Sequence, residues 1–242
     1  MTWVKICGIT NLEDALVAVE AGADALGFVF YEKSPRRIAS DAAREIVTKL
    51  PGRVEKVGVF INTSFEEMFK GAEAAGLSAI QIYGKEGEVS RDYIAISENT
   101  PRPKLIYAFD GNNFADPRGA MWLIAKPFAE SLFALLVDCS SDAQPGGTGQ
   151  RFDWTKARGS MRALNMIRPT IVAGGLDASN VQTAITLLHP WGVDVSSGVE
   201  ARPGKKDPEK VRAFVRAVRE MDRIKQEIAK LSIVQPPPSA GA

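Results

Sequence analysis

The sequence predicts an α/β fold: a single-domain (β/α)8 TIM barrel with a parallel eight-stranded core and a long last helix. Three observations predict it. Short apolar runs alternate with segments of helical periodicity along almost the whole chain, and strands separated by helices pair in parallel through right-handed crossovers. At about 30 residues per β-then-α unit, eight units account for most of the 242 residues, and eight such units close into a barrel. No shift in composition divides the chain before its end, Pro236-Pro237-Pro238-Ser239-Ala240-Gly241-Ala242. The expected boundaries are therefore a barrel domain over residues 1–230 and a disordered Pro-rich tail over residues 231–242.

The elements follow in order. Val4-Lys5-Ile6-Cys7 is the first strand. Its helix runs over 11–21, with Asn11 as N-cap, Asp14 in a shortened capping box and Gly22 as the stop. The second unit is a strand at 24–30 and a helix at 40–50 capped by Ser40; the third spans 56–61 and 64–75; the fourth spans 78–83 and 86–97. A fifth strand at 104–108 precedes a helix at 116–125. The sixth strand, 132–138, leads into a Gly-rich loop and a helix near Asp153. Strand 170–173 with helix 178–188, and strand 192–196 with helix 207–230, complete the set. In the last helix Val211, Phe214, Val218, Met221, Ile224 and Ile228 recur at helical spacing. That stripe suits packing on the barrel, and its final turns are available for a contact with a second copy.

Composition narrows the function classes. A hydrophobic content of 45% supports one large core. Charged residues make up 24% and the formal net charge is +1, which gives no electrostatic case for nucleic acid or a membrane surface. No apolar run is long enough for a transmembrane helix, and the N-terminus lacks a signal-peptide layout. Two cysteines cannot make a disulfide framework, so a cytoplasmic protein with free thiols is expected.

In such a barrel the chemistry belongs at the C-terminal ends of the strands. Alternation along the first strand turns Lys5 and Cys7 into the lumen and Ile6 toward the helices. A lone buried cysteine is most often an inert small hydrophobe. A lysine two residues before it on the same face favours the thiolate and makes Cys7 a candidate base. The sixth strand closes on Leu136-Val137-Asp138-Cys139: Asp138 at the rim is an acid candidate, and Cys139, on the opposite face, packs. A strand buried on both faces is expected to be apolar throughout, so Asp194 and Ser196 in the eighth strand, and Gln81 and Tyr83 in the fourth, mark lumen positions with a purpose.

Three Gly-rich stretches follow the last three strands: Gly146-Gly147-Thr148-Gly149, Ala173-Gly174-Gly175 and Ser196-Ser197-Gly198. Glycines often do no more than turn a chain. At these places they fit the phosphate cradle of the fold, in which bare backbone N–H groups and a helix N-terminus hold the anion. Gly147, Thr148, Gly149, Gly174, Gly175, Ser196, Ser197 and Gly198 are the candidates, and a small phosphorylated substrate is the expected partner. Arg36 could clamp a carboxylate in a two-pronged geometry, while Arg37 suits a solvated loop. His189, before Pro190, suits a structural place on the far rim. No His/Cys/Asp cluster has metal-ligand spacing and no GxGxxG fingerprint follows a strand; neither metal nor cofactor is expected.

These residues resemble the phosphoribosylanthranilate isomerase family. Lys5-Ile6-Cys7-Gly8-Ile9-Thr10 is similar to the family's opening signature, and Gly27-Phe28-Val29-Phe30-Tyr31 with Lys33-Ser34-Pro35-Arg36 continues it. Val57-Gly58-Val59-Phe60, Gly146-Gly147-Thr148-Gly149 before Phe152-Asp153-Trp154, and Ala173-Gly174-Gly175-Leu176 keep the order and spacing. Val193-Asp194-Val195-Ser196-Ser197-Gly198-Val199-Glu200 and Pro203-Gly204-Lys205-Lys206-Asp207 close it. The resemblance spans residues 4–218. It implies an Amadori rearrangement of N-(5′-phosphoribosyl)anthranilate to 1-(2-carboxyphenylamino)-1-deoxyribulose 5-phosphate in tryptophan biosynthesis, without a cofactor. It implies Cys7 as general base and Asp138 as general acid. Arg36 would then hold the anthranilate carboxylate and Asp194 contact the anthranilate nitrogen. Lys5 and Gln81 complete the substrate-binding set, and the glycine-rich loops hold the phosphate. The chemistry asks for a lowered Cys7 pKa and a raised Asp138 pKa.

The chain departs from the family pattern in two ways. Tyr83 stands where many members have a histidine, and is expected to be a wall of the pocket. The chain also runs past the family's usual end, through Lys225 to Ala242, as a monomer or homodimer. Two rival readings are weaker. Related phosphosugar barrels use first-strand carboxylates or a metal, which Cys7 argues against. A catalytically dead barrel kept as a binding partner would not need both an acid and a base.

Overall fold

The computed structural model describes residues 1–83, 103–111, 132–139 and 151–234, the side chains of 232–234 excepted. The helices expected at 86–97 and 116–125, the loop holding Gly147, Thr148 and Gly149, and the tail from residue 235 lie outside the described residues.

Strands and helices alternate as β1 (Trp3–Cys7), α1 (Leu12–Ala21), β2 (Ala25–Val29), α2 (Ser40–Val47), β3 (Glu55–Ile61), α3 (Phe65–Ala75), β4 (Ala79–Tyr83), β5 (Lys104–Asp110) and β6 (Ala134–Asp138). The chain continues with α4 (Trp154–Asn165), β7 (Thr170–Val172), α5 (Val181–Leu188), β8 (Gly192–Val195), the short strands β9 (Glu200–Arg202) and β10 (Lys205–Lys206), and α6 (Pro208–Val234). Strands β1 to β8 pair in sequence order into one closed barrel, β8 returning to β1. Every pairing in it is parallel, and Lys5 stands opposite both Ala25 and Asp194. β9 and β10 form a separate antiparallel pair.

The two faces of each strand build two apolar layers. Ala25, Val57, Ala79, Ile106, Ala134, Leu136 and Ile171 fill the lower lumen, where small and branched side chains interleave. Ile6, Leu26, Phe28, Ile80, Ile82, Leu135 and Val137 face outward and pack with the inner faces of the helices. Cys139 falls in that outer layer, as its alternation with Asp138 requires. Strand alternation therefore leaves only the top of the lumen for polar side chains.

Local chemistry sets the helix starts. Asn11 Oδ1 accepts from the Asp14 N–H at 2.9 Å and its Nδ2 donates to Asp14 Oδ2 at 2.9 Å, and Gly22 ends α1 at φ 98°. Ser64 and Glu67 form a reciprocal capping box at α3. Ser40 corrects the expected cap: it is the first residue of α2, and Ala39 holds the extended N-cap conformation with no side-chain acceptor. The helix lies where it was expected, and its cap stands one residue earlier.

Helix α6 lies against α1 and α5. Its stripe is buried at Val211, Phe214 and Val218 and then leaves the barrel: Ile224 is 36% exposed and Ile228 58%. Asp222 ties it to the N-terminus by accepting from the Thr2 N–H at 2.8 Å and the Thr2 hydroxyl at 2.7 Å. Among the described residues no helix is long and apolar enough to cross a membrane.

Candidate functional site

A cavity of about 310 Å³ opens at the C-terminal ends of the strands. Cys7 from β1, Gln81 and Tyr83 from β4, Asp138 from β6 and Asp194 from β8 line it together. Arg36, Gly174, Gly175, Ser196 and Ser197 reach it from the loops. Lys5 lies one lumen layer lower, fully buried. The thiol and the carboxyl expected to act as a pair thus share one cavity.

Room for the lumen polar groups comes from glycine. A Cβ on Gly27 would fall 2.6 Å from Cys7 Sγ and 3.1 Å from Lys5 Cε. Gly174, at φ 83°, lies against the acid: a Cβ there would be 2.9 Å from Asp138 Oδ1. Gly175 also has positive φ, 59°. Gly198 sits in a 3-10 turn (Ser197–Val199) behind the rim, where a Cβ would come within 1.9 Å of the Leu176 carbonyl oxygen. It locks the loop after β8 onto the loop after β7.

The β1–β8 side is rich in charge. Lys5 Nζ sits 3.0 Å from Asp194 Oδ1, an ion pair whose angles fall outside hydrogen-bonding geometry. Burial opposes the Lys5 ammonium, but Asp194 and Cys7 outweigh it and hold the amine above its ordinary value. Arg36 donates from Nε to Glu200 Oε1 and from Nη2 to Glu200 Oε2, each at 2.9 Å. Lys206 Nζ, also buried, lies 3.0 Å from Glu200 Oε1 and donates to the Ser196 carbonyl at 3.2 Å. Arg36 does hold a carboxylate in a two-pronged grip, and it is one from its own chain; Nη1 takes no part in that grip.

The β4–β6 side is sparer. Tyr83 donates its hydroxyl to Asp138 Oδ2 at 2.8 Å, so the expected pocket wall is in fact a partner of the acid. Burial pushes the Asp138 carboxyl up to about 6, against the pull of the Tyr83 hydroxyl. Burial and Asp138 push the Tyr83 phenol well above its ordinary value, so it stays a donor.

Cys7 corrects a second expectation. Burial pushes its thiol above the ordinary cysteine value, and Lys5 and Lys206 only partly counter it. The lysine is where alternation placed it, but desolvation outweighs it.

Buried polar atoms without partners mark where a ligand fits. Gln81 Oε1, Asp138 Oδ1 and Ser196 Oγ lack a hydrogen-bond partner among the described residues, and all three residues line this one cavity. Such groups are costly in a folded protein unless something satisfies them. Glu200 and Lys206 were not singled out from the sequence. Both lie inside its quoted motifs, and the signal that could have found them is the need of Arg36 for a buried counter-charge.

A sequence profile described as N-(5′phosphoribosyl)anthranilate (PRA) isomerase matches residues 4–217. The chain belongs to the phosphoribosylanthranilate isomerase family. The N-(5′-phosphoribosyl)anthranilate isomerase of Citrifermentans bemidjiense is 46% identical over 218 residues, which are 89% of this chain and 96% of the relative. A phosphoribosyl anthranilate isomerase structure in complex with reduced 1-(o-carboxyphenylamino)-1-deoxyribulose 5-phosphate superposes with a TM-score of 0.73 at 38% identity, covering 91% of this chain and 100% of the other. Monomers generated from the dimeric isomerase of Thermotoga maritima give a TM-score of 0.74 at 38% identity with the same coverage.

Proposed function

We propose that this chain isomerises N-(5′-phosphoribosyl)anthranilate to 1-(2-carboxyphenylamino)-1-deoxyribulose 5-phosphate, with Asp138 as general acid and Cys7 as general base. The observation that carries the assignment is the shared cavity: a thiol and a carboxyl with a pKa raised to about 6 line it together. Asp138 gives its proton to the ribose ring oxygen. The C1′–O bond breaks toward that oxygen while the nitrogen lone pair forms the C1′ iminium. Cys7, as thiolate, takes the proton from C2′, and the electrons move through C1′ to the nitrogen to give an enol-amine. A proton added at C1′ and the enol O–H proton lost from the C2′ oxygen then leave the C2′ ketone. The iminium is the electron sink, so the chain's own residues need only hold and move protons.

Burial raises both groups, with the thiol above the carboxyl. The proton therefore rests mainly on sulfur, and the working form is the minor arrangement with the proton on Asp138. Substrate shifts the balance the right way: its phosphate and carboxylate disfavour a second anion at Asp138, and the iminium favours the thiolate. Gly174, Gly175 and Ser197 suit the phosphate, with Gly147, Thr148 and Gly149 the remaining candidates. Arg36 Nη1 suits the anthranilate carboxylate, Asp194 the anthranilate nitrogen, and Gln81 a sugar hydroxyl. A cytoplasmic monomer or homodimer is part of the same reading, in keeping with two free cysteines and the dimeric Thermotoga maritima relative.

A turnover assay of the purified protein with phosphoribosylanthranilate tests the function, and Asp138→Asn tests the acid. The expected result is rapid conversion by the wild type and a loss in kcat of about 10² or more for the variant, with KM little changed. No conversion by the wild type would end the reading.

A further inference from the structure

The Tyr83 hydroxyl donates to one oxygen of Asp138, Oδ2, at 2.8 Å. The other oxygen, Oδ1, is buried with no hydrogen-bond partner among the described residues. Gly174 leaves its flank bare, since any Cβ there would stand 2.9 Å from Oδ1. The two oxygens are therefore chemically unequal before any ligand arrives. An oxygen that already accepts a hydrogen bond from a neutral hydroxyl is the carbonyl-like one, and the acidic proton sits on the other. We propose that Tyr83 is a positioning residue: its hydroxyl fixes Asp138 Oδ2, so that Oδ1 is the oxygen that carries the proton and delivers it to the substrate's ring oxygen.

The assignment rests on the proposed reaction and goes beyond it by naming the donating atom and the residue that selects it. Tyr83 acts twice. Before proton transfer it stops the carboxyl from turning about its Cβ–Cγ bond and presenting Oδ2. After transfer its hydrogen bond to Oδ2 strengthens, because the acceptor is now a carboxylate. It stays protonated throughout, since burial and Asp138 together hold the phenol far above neutrality. Among the described residues, the other charged or titratable groups near Asp138 are Asp194 from β8 and Lys5 from β1, Cys7 across the same cavity, and Asp110, its register neighbour on β5. The Tyr83 hydroxyl and the Cys139 backbone N–H both pull on the carboxyl without adding or removing charge, and among the described residues Tyr83 is the one that does so with a side chain.

Tyr83→Phe tests this, because it deletes one oxygen and keeps the ring. Two measurements are made. In the first, the protonated-carboxyl infrared band that is missing from Asp138→Asn is titrated in wild type and in Tyr83→Phe. Loss of a hydrogen bond to the carboxylate should raise its midpoint by about half a unit to one unit. In the second, kcat/KM is followed against pH. The working form needs Asp138 protonated and Cys7 ionised, and the carboxyl has the lower pKa; the rising limb therefore reports Asp138 and the falling limb Cys7. Tyr83→Phe should move the rising limb up by the same interval, leave the falling limb in place, and lower kcat about tenfold with KM within about twofold. An unmoved infrared midpoint, or a rising limb that stays while activity falls evenly across pH, overturns the proposal and leaves the proposed function standing. A wild type with no turnover of phosphoribosylanthranilate overturns the function itself, and the proton-delivery role with it.

Discussion

The two walls of the cavity are built on opposite principles. On the β1–β8 wall, Lys5, Asp194, Arg36, Glu200 and Lys206 bring five formal charges around one thiol. On the β4–β6 wall, one carboxyl faces a neutral hydroxyl and an amide. The thiol nonetheless ends above its ordinary value, because burial raises it and its neighbours' charges, mostly spent on each other, only partly counter that. Lys5 is opposed by Asp194, and Arg36 and Lys206 are opposed by Glu200. The lone carboxyl is tuned by burial with only a light hand from Tyr83. Many charges held in closed pairs thus perturb a neighbour less than one desolvated group perturbs itself.

The largest effect should come from the thiol. Cys7→Ala should lower kcat by about 10² to 10⁴ and leave product binding and folding nearly intact, since the change is small and the site is already roomy. Near-full turnover by this variant in a steady-state assay would remove the base from the charged wall and break the contrast.

The next effect is structural and belongs to the charged wall alone. Glu200→Gln removes the ion-pair partner that two buried cations, Arg36 and Lys206, share among the described residues. Breaking a buried ion network by neutralising one member costs about 3–5 kcal/mol, so chemical denaturation should show a loss of about that size. The exposed Lys70–Glu66 pair, 2.7 Å long, is the control: Glu66→Gln should not move the midpoint measurably. Equal behaviour of the two variants would mean that Glu200 is not the keystone of its wall.

How much of this was legible in the sequence follows the same division. The barrel was legible, because a period of two and a period of 3.6 are written locally along the chain. Lumen positions were legible for the same reason: Lys5, Cys7, Gln81, Tyr83, Asp138 and Asp194 all fall on the predicted face. Pairings were not. Arg36 and Glu200 are 164 positions apart, and Tyr83 and Asp138 are 55 apart. Nothing local distinguishes a guanidinium that awaits a ligand's carboxylate from one that already holds Glu200. The thiol's net shift was illegible for a related reason, since a nearby lysine can be read from spacing and the depth of burial cannot. Tyr83 was legible as a departure from the family pattern, but its reach to the acid depends on how β4 and β6 face each other across the lumen.

The smallest predicted effect runs against the usual sign of a mutation at an active site. Asp138 has an ordinary value of 3.8 and is raised to about 6 in the folded protein. The folded state therefore holds this proton more tightly than the unfolded chain does, and stability falls as pH rises from 3.8 through about 6 and stays reduced above it. A shift of about two units corresponds to at most about 3 kcal/mol at neutral pH. Asp138→Asn removes the ionisation while keeping an acceptor for the Tyr83 hydroxyl. It should stabilise the protein by about 1–3 kcal/mol near pH 8, a rise in Tm of a few degrees, and by almost nothing near pH 4, where the wild-type carboxyl is already neutral. Thermal unfolding at the two pH values measures the difference directly. A gain that is absent at pH 8, or equal at both, would mean that the carboxyl is solvated. The spare wall would then lose the desolvation that sets it apart from the charged one.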